Sequence, residues 1–152
     1  MPMLMDFGNA SLGDATLQFT ATKSGINLSP RWTAPEILKG KSVHTTAGDV
    51  YSLGMTILET FTSEIPFPKK KDQSLMLHVV INKKTPPRPK VVIPERSICG
   101  NILWAILTSC WSYDPELRPD AETILHLMKP LTLEKLKEFE EKEPEQDESD
   151  ED

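Results

Sequence analysis

The stretch MPMLMDFGNASLG places one carboxylate, Asp6, directly before Phe7 and Gly8. An acid ahead of glycine initiates turns, and a carboxylate oxygen also suits a hard cation that keeps most of its waters. Two further charges stand far apart, Glu36 in RWTAPE and Arg118 in CWSYDPELRP, and by type alone they are two independent surface charges. Asp49 opens the most apolar stretch of the chain, where an acid in the first turn caps a helix. The three histidines are followed by Thr45, Val79 and Leu127, so no His-Arg-Asp occurs, and the seven glycines form no Gly-x-Gly-x-x-Gly.

Short helices are the elements that must hold these groups. MPMLM suits a short strand at 2–5 leading into the turn at 6–8. Residues 9–33 are rich in Ser, Thr, Gly and Asn without a period, which predicts a long loop. Pro35 opens a short helical piece that Gly40 closes. TTAGDVYSLGMTILETFTSEIPF is the best helix, with Thr46 and Asp49 resembling a capping box. Its Val50, Leu53, Ile57, Leu58 and Phe61, widened by Tyr51 and Met55, predict burial nearly all round, and Pro66 and Pro68 forbid its continuation. DQSLMLHVVINKK predicts a second helix. Residues 98–111 place Ile98, Ile102, Leu103, Ile106, Leu107 and Cys110 on one helical face. Asp120 can cap a helix whose Ile124, Leu125 and Met128 face a core. An amphipathic helix is expected over 131–143, and the acidic 144–152 cannot bury enough apolar surface to order itself.

With 152 residues the length suggests one domain with room for a core. The net charge of −6 belongs to the end: residues 134–152 carry eleven acids and three lysines, leaving 1–133 near neutral. Nothing in that balance argues for a nucleic-acid partner. Two cysteines, Cys99 and Cys110, give no disulfide framework and read as free buried thiols of a reducing compartment. No apolar run reaches the ~18–20 residues of a membrane span and the start is no signal peptide, so cytoplasm or nucleus is expected and no membrane partner.

Four islands stand in a fixed order: DFG at 6–8, RWTAPE at 31–36, GDVYSLG at 48–54 and CWSYDPELRP at 110–119, with 25 residues between Gly8 and Ala34. In that order they resemble the C-terminal lobe of a eukaryotic protein kinase catalytic domain, in the flavour of tyrosine kinases and tyrosine-kinase-like serine/threonine kinases. The resemblance covers about residues 3–130. It implies a mainly α fold, the helical C-lobe portion of the kinase fold packed around 46–62, with a strand remnant at the N-terminus and a disordered acidic tail. Residues 1–130 would be the partial kinase domain.

The resemblance also implies roles. Asp6 would hold the Mg²⁺ that bridges nucleotide phosphates, and Phe7 would pack beneath a helix of the smaller lobe. Phe7, Gly8, Ser29, Trp32, Ala34, Pro35 and Glu36 would belong to the activation segment. Glu36, of the APE motif, would form a buried ion pair with Arg118 that pins this segment to the helical body. Asp49 would accept hydrogen bonds from catalytic-loop amides. Ser29 falls where serine/threonine kinases carry a threonine, yet RWTAPE is equally at home among tyrosine kinases, and the choice stays open. Ser11, Thr16, Thr20, Thr22 and Ser24 would lie in the activation loop as candidate phosphorylation sites, and Ser149 in DESDED resembles a site for an acid-directed kinase.

The implied activity is ATP-dependent phosphorylation of protein Ser/Thr or Tyr hydroxyls, with protein substrates or signalling proteins as partners. ATP and Mg²⁺ would be cofactors of the complete kinase, bound only weakly by this chain. The catalytic-loop base, its companion asparagine, the glycine-rich loop and the strand lysine are not found in these residues, so the chain by itself is expected to be inactive. A face of helix 46–62 would then be exposed. The alternative is a non-catalytic interaction module, working through the activation segment, the Lys69-Lys70-Lys71 corner or the acidic tail.

Overall fold

The computed structural model describes residues 29–40 and 44–138. The strand expected at 2–5, the Asp6-Phe7-Gly8 turn, the loop hydroxyls at Ser11, Thr16, Thr20, Thr22 and Ser24, and the tail with Ser149 lie outside these residues.

Among the described residues every regular element is helical. α1 spans Pro35–Leu38, with Pro35 in the first turn, where the missing N–H goes unneeded. Gly40 follows at φ +70°, a conformation that only glycine adopts without cost. α2 spans Thr46–Thr62. Its N-cap is Thr45, whose hydroxyl accepts from Gly48 N at 2.9 Å, so the box expected at Thr46 and Asp49 lies one residue too late. α3 spans Asp72–Leu75 and runs straight into a π-wound segment, Met76–Ile81. α4 spans Ile98–Cys110 under a Ser97 cap, α5 spans Ala121–Met128 under the expected Asp120 cap, and α6 spans Leu133–Lys137 under a Thr132 cap. A 3₁₀ turn, Pro115–Leu117, joins α4 to α5.

The core forms where α2 lies on α4. Tyr51, Met55 and Leu58 of α2 meet Leu103, Ile106, Leu107 and Cys110 of α4, with Leu75, Val79, Ile93, Trp111, Ile124 and Leu136 closing the ends. Gly54 permits the approach: a Cβ there would stand 2.8 Å from both Cys110 Cβ and Trp111 Nε1.

Burial corrects three expectations. α2 is not buried nearly all round; Asp49, Leu53, Thr56 and Thr60 form an exposed stripe at helical spacing, with Leu53 39% exposed. On α4, Ile98 and Ile102 point to solvent, because they lie off the face shared by Leu103, Ile106, Leu107 and Cys110. On α5, Ile124 is buried and Met128 packs beside it, while Leu125, a third of a turn away, is exposed. No helix among the described residues is long and apolar enough to cross a membrane.

Candidate functional site

The site is built where the segment before α1 meets the body of the helices. Glu36 sits in the first turn of α1, and Arg118 follows the 3₁₀ turn. The guanidinium grips the carboxylate with two bonds, Nη1 to Oε1 at 2.6 Å and Nη2 to Oε2 at 2.8 Å. The Arg118 side chain is wholly buried and Glu36 is 15% exposed. Nothing of the arginine is left unsatisfied on its inner side. Nη1 also donates to Ala47 O at 2.8 Å, Nε donates to Ser112 O at 2.9 Å, and the group stacks 5.2 Å from the Tyr51 ring centroid. One side chain thereby joins α1, the start of α2 and the end of α4.

The electrostatics agree with the geometry. Burial alone would raise the pKa of Glu36; the Arg118 hydrogen bond, a backbone bond and the charges of Arg118 and Lys39 outweigh it and hold the carboxyl below its ordinary value. Burial pushes the Tyr51 phenol far upward, so its ring stays neutral beneath the guanidinium. α1 can reach this depth because Gly48 gives it room: a Cβ there would be 2.6 Å from Ile37 Cδ1.

The residues just before α1 are pinned as firmly. Arg31 donates to three carbonyls, Pro66 O at 3.0 Å, Phe67 O at 2.8 Å and Lys70 O at 2.7 Å, and pairs with Asp72 at 2.7 Å. Trp32 Nε1 donates to Glu59 Oε2 at 2.9 Å, and Ser52 Oγ donates to Trp32 O at 2.8 Å. Ser29 is exposed, and its carbonyl accepts from Trp32 N and Thr33 Oγ1. Ala34 and Pro35 are buried. Trp32 therefore packs and also donates, and Arg31, to which the sequence reading gave no role, fastens the segment to the turn before α3. The signal lay in IPFPKKKD, whose turn residues offer carbonyls free of ladder or helix partners.

Asp49 stands apart from this network. It lies exposed on a cavity of about 610 Å³ shared with Thr46, Val50, Leu53, Pro119 and Ala121. Among the described residues no cluster of His, Cys, Asp or Glu could hold a metal. The one carboxylate expected to do so, Asp6, falls outside them, as do Phe7 and Gly8.

A family model described as protein tyrosine and serine/threonine kinase matches residues 3–128. Human mitogen-activated protein kinase kinase kinase 11 is 30% identical over 136 residues, which cover 90% of this chain and 14% of that protein. Dual specificity protein kinase pyk3 of Dictyostelium discoideum is 33% identical over 127 residues, 81% of this chain and 9% of its own length. Dual specificity protein kinase shkD of the same organism is 30% identical over 106 residues, 69% of this chain and 13% of its own length. The chain thus spans a seventh or less of these relatives.

Proposed function

Since the chain belongs to the protein tyrosine and serine/threonine kinase family, we propose that it serves as the C-terminal portion of a kinase domain that transfers phosphate from ATP to protein hydroxyls. The observation that carries this reading is the Glu36–Arg118 fork. It holds the APE end of the activation segment at one fixed depth in the helical body, and phosphoryl transfer rests on positioning and electrostatic stabilisation. Arg31 and Trp32 extend that fixed surface toward α3. The named relatives are kinases of protein, two of them of dual specificity, which supports protein hydroxyls as the acceptor class.

In the complete domain Asp6 would hold Mg²⁺, which when bound neutralises charge on the nucleotide phosphates. The chain's own contribution is to fix the activation segment against the helices. The 152 residues alone carry neither a His-Arg-Asp aspartate nor a glycine-rich loop, and the isolated chain is proposed to be inactive and to bind ATP and Mg²⁺ weakly.

A chimera tests the reading. Residues 3–128 replace the matching segment in the kinase domain of mitogen-activated protein kinase kinase kinase 11, and γ-phosphate transfer to protein is measured. Transfer that vanishes with Asp6→Ala is expected. A folded chimera without transfer sinks the catalytic reading in favour of a non-catalytic interaction module. Transfer by the isolated chain, abolished by Asp6→Ala, sinks the claim that it is inactive alone.

A further inference from the structure

Three segments converge on Tyr113. Lys39, directly after α1, places its Nζ 4.4 Å from the ring centroid, and Lys83, after the π-wound segment, places its Nζ at 4.7 Å. Lys39 also bonds the phenolic oxygen, and the hydroxyl donates to Val80 O at 2.8 Å, so the ring cannot turn away. Two uncommon backbone features bring Lys83 here. Met76–Ile81 is wound as a π-helix, a form concentrated at functional sites. Lys83 itself has φ +51°, in the left-handed region that disfavours side chains bearing a Cβ.

The cluster is electrostatically unbalanced. The ion pairs among the described residues are Arg31–Asp72, Lys90–Glu95 and Arg118–Glu36, and neither Lys39 nor Lys83 takes part in them. A tyrosine face attracts cations but carries no net charge to neutralise them. Two ammonium groups on one ring therefore repel each other at a separation that salt screens only partly, the screening length being ~10 Å at 0.1 M. More positive charge stands close by. Burial, then the charges of Lys70 and Lys84, holds His78 below its ordinary pKa, so the Lys69-Lys70-Lys71 corner bears on the same π-wound segment. That segment also exposes Met76, Leu77 and Ile81, the last 65% exposed.

We propose that Lys39, Tyr113 and Lys83 form a docking site for an acidic segment of a protein partner. Adjacent Asp or Glu side chains bridge the two ammonium groups, and an apolar neighbour rests on Ile81. Bridging removes the repulsion between the lysines and gives each a counter-charge while Tyr113 keeps both in place. A peptide fits better than a nucleic acid. The cations are few and local rather than a stripe along a backbone, and the apolar side chains beside them have no use for phosphates.

The probe is a fluorescein-labelled peptide rich in Asp and Glu with one leucine, titrated with the 152-residue chain and followed by anisotropy. Saturable binding is expected. Lys39→Gln with Lys83→Gln weakens it about tenfold or more, whereas Lys129→Gln with Lys137→Gln, the same loss of charge elsewhere, changes it less than about twofold. Lys39→Arg with Lys83→Arg retains binding. Equal weakening by the two glutamine pairs, or tighter binding of a single-stranded oligonucleotide than of the peptide, overturns the proposal. So does equal binding of the all-amide peptide by the unaltered chain, a comparison that needs no variant to fold.

Discussion

Glu36 and Arg118, 82 residues apart in the chain, meet through two parallel charge-assisted bonds with the arginine out of solvent altogether. Such a pair is worth little as a net gain over an apolar contact, because both ions are taken from water. Its weight appears when one partner goes, since the other is stranded. Arg118→Ala should cost about 3–5 kcal/mol, and Arg118→Lys should recover only part of it, because an ammonium cannot reproduce the fork. Urea unfolding of the chain gives the number. A loss under about 1 kcal/mol would mean the pair is solvated in solution.

The same pair sets an acid limit. Glu36 has a lowered pKa in the folded state, so the folded state binds fewer protons there than the unfolded chain near the ordinary value of 4.5. Its contribution is complete above that value and disappears as pH falls through the lower, folded pKa. Unfolding midpoints measured from pH 7 downward should fall in that window, and Glu36→Gln should flatten this part of the profile. A profile unchanged by the substitution would remove Glu36 from the acid response.

Arg31 should matter locally. Its three carbonyl bonds and its pair with Asp72 tie residues 31–34 to the turn at 66–72. Arg31→Ala is expected to cost about 1.5–3 kcal/mol, and amide exchange should accelerate in both tied segments while α4 stays protected. Uniform acceleration along the whole chain would instead make Arg31 a global stabiliser.

Gly54→Ala forces a methyl to within 2.8 Å of Cys110 Cβ and Trp111 Nε1. Helices α2 and α4 must part, and overpacking of this kind costs about 1–3 kcal/mol despite the better helix propensity of alanine. A neutral or stabilising Gly54→Ala in thermal unfolding would show that the two helices part without loss.

The thiols offer a fourth probe of the same contact. Burial pushes Cys110 up to about 11, and no part of its side chain reaches solvent, whereas Cys99 is half-buried. Iodoacetamide near pH 8 should label Cys99 in the folded chain and Cys110 only on unfolding. Gly54→Ala should hasten Cys110 labelling. Equal rates at both thiols in the unaltered chain would place the α2–α4 contact in rapid opening.

Much of this fold was legible in the sequence because periodicity and capping are local. Asp120, Pro35 and the central helix announce themselves within one or two turns. The errors share a cause. Leu53, Ile102 and Leu125 are apolar and near the right spacing, but which third of a helix meets its neighbour depends on where that neighbour lies. Thr45 and Thr46 offer the same hydroxyl, and only the path of the chain selects Thr45. The Glu36–Arg118 pairing came from resemblance to a family, since spacing alone cannot join residues 82 apart. The Arg31 bonds were invisible because their acceptors are backbone carbonyls, which every residue supplies.

The π winding of Met76–Ile81 fixes where Lys83 stands by chain length rather than by side-chain choice. A π turn accommodates an extra residue in the rise of an α turn. Deleting one residue between 76 and 81 would let the helix relax to ordinary winding and swing everything after it by roughly 100°. The lysine would leave the tyrosine without any substitution at either position. For this surface, an insertion or deletion is a sharper evolutionary switch than a point mutation.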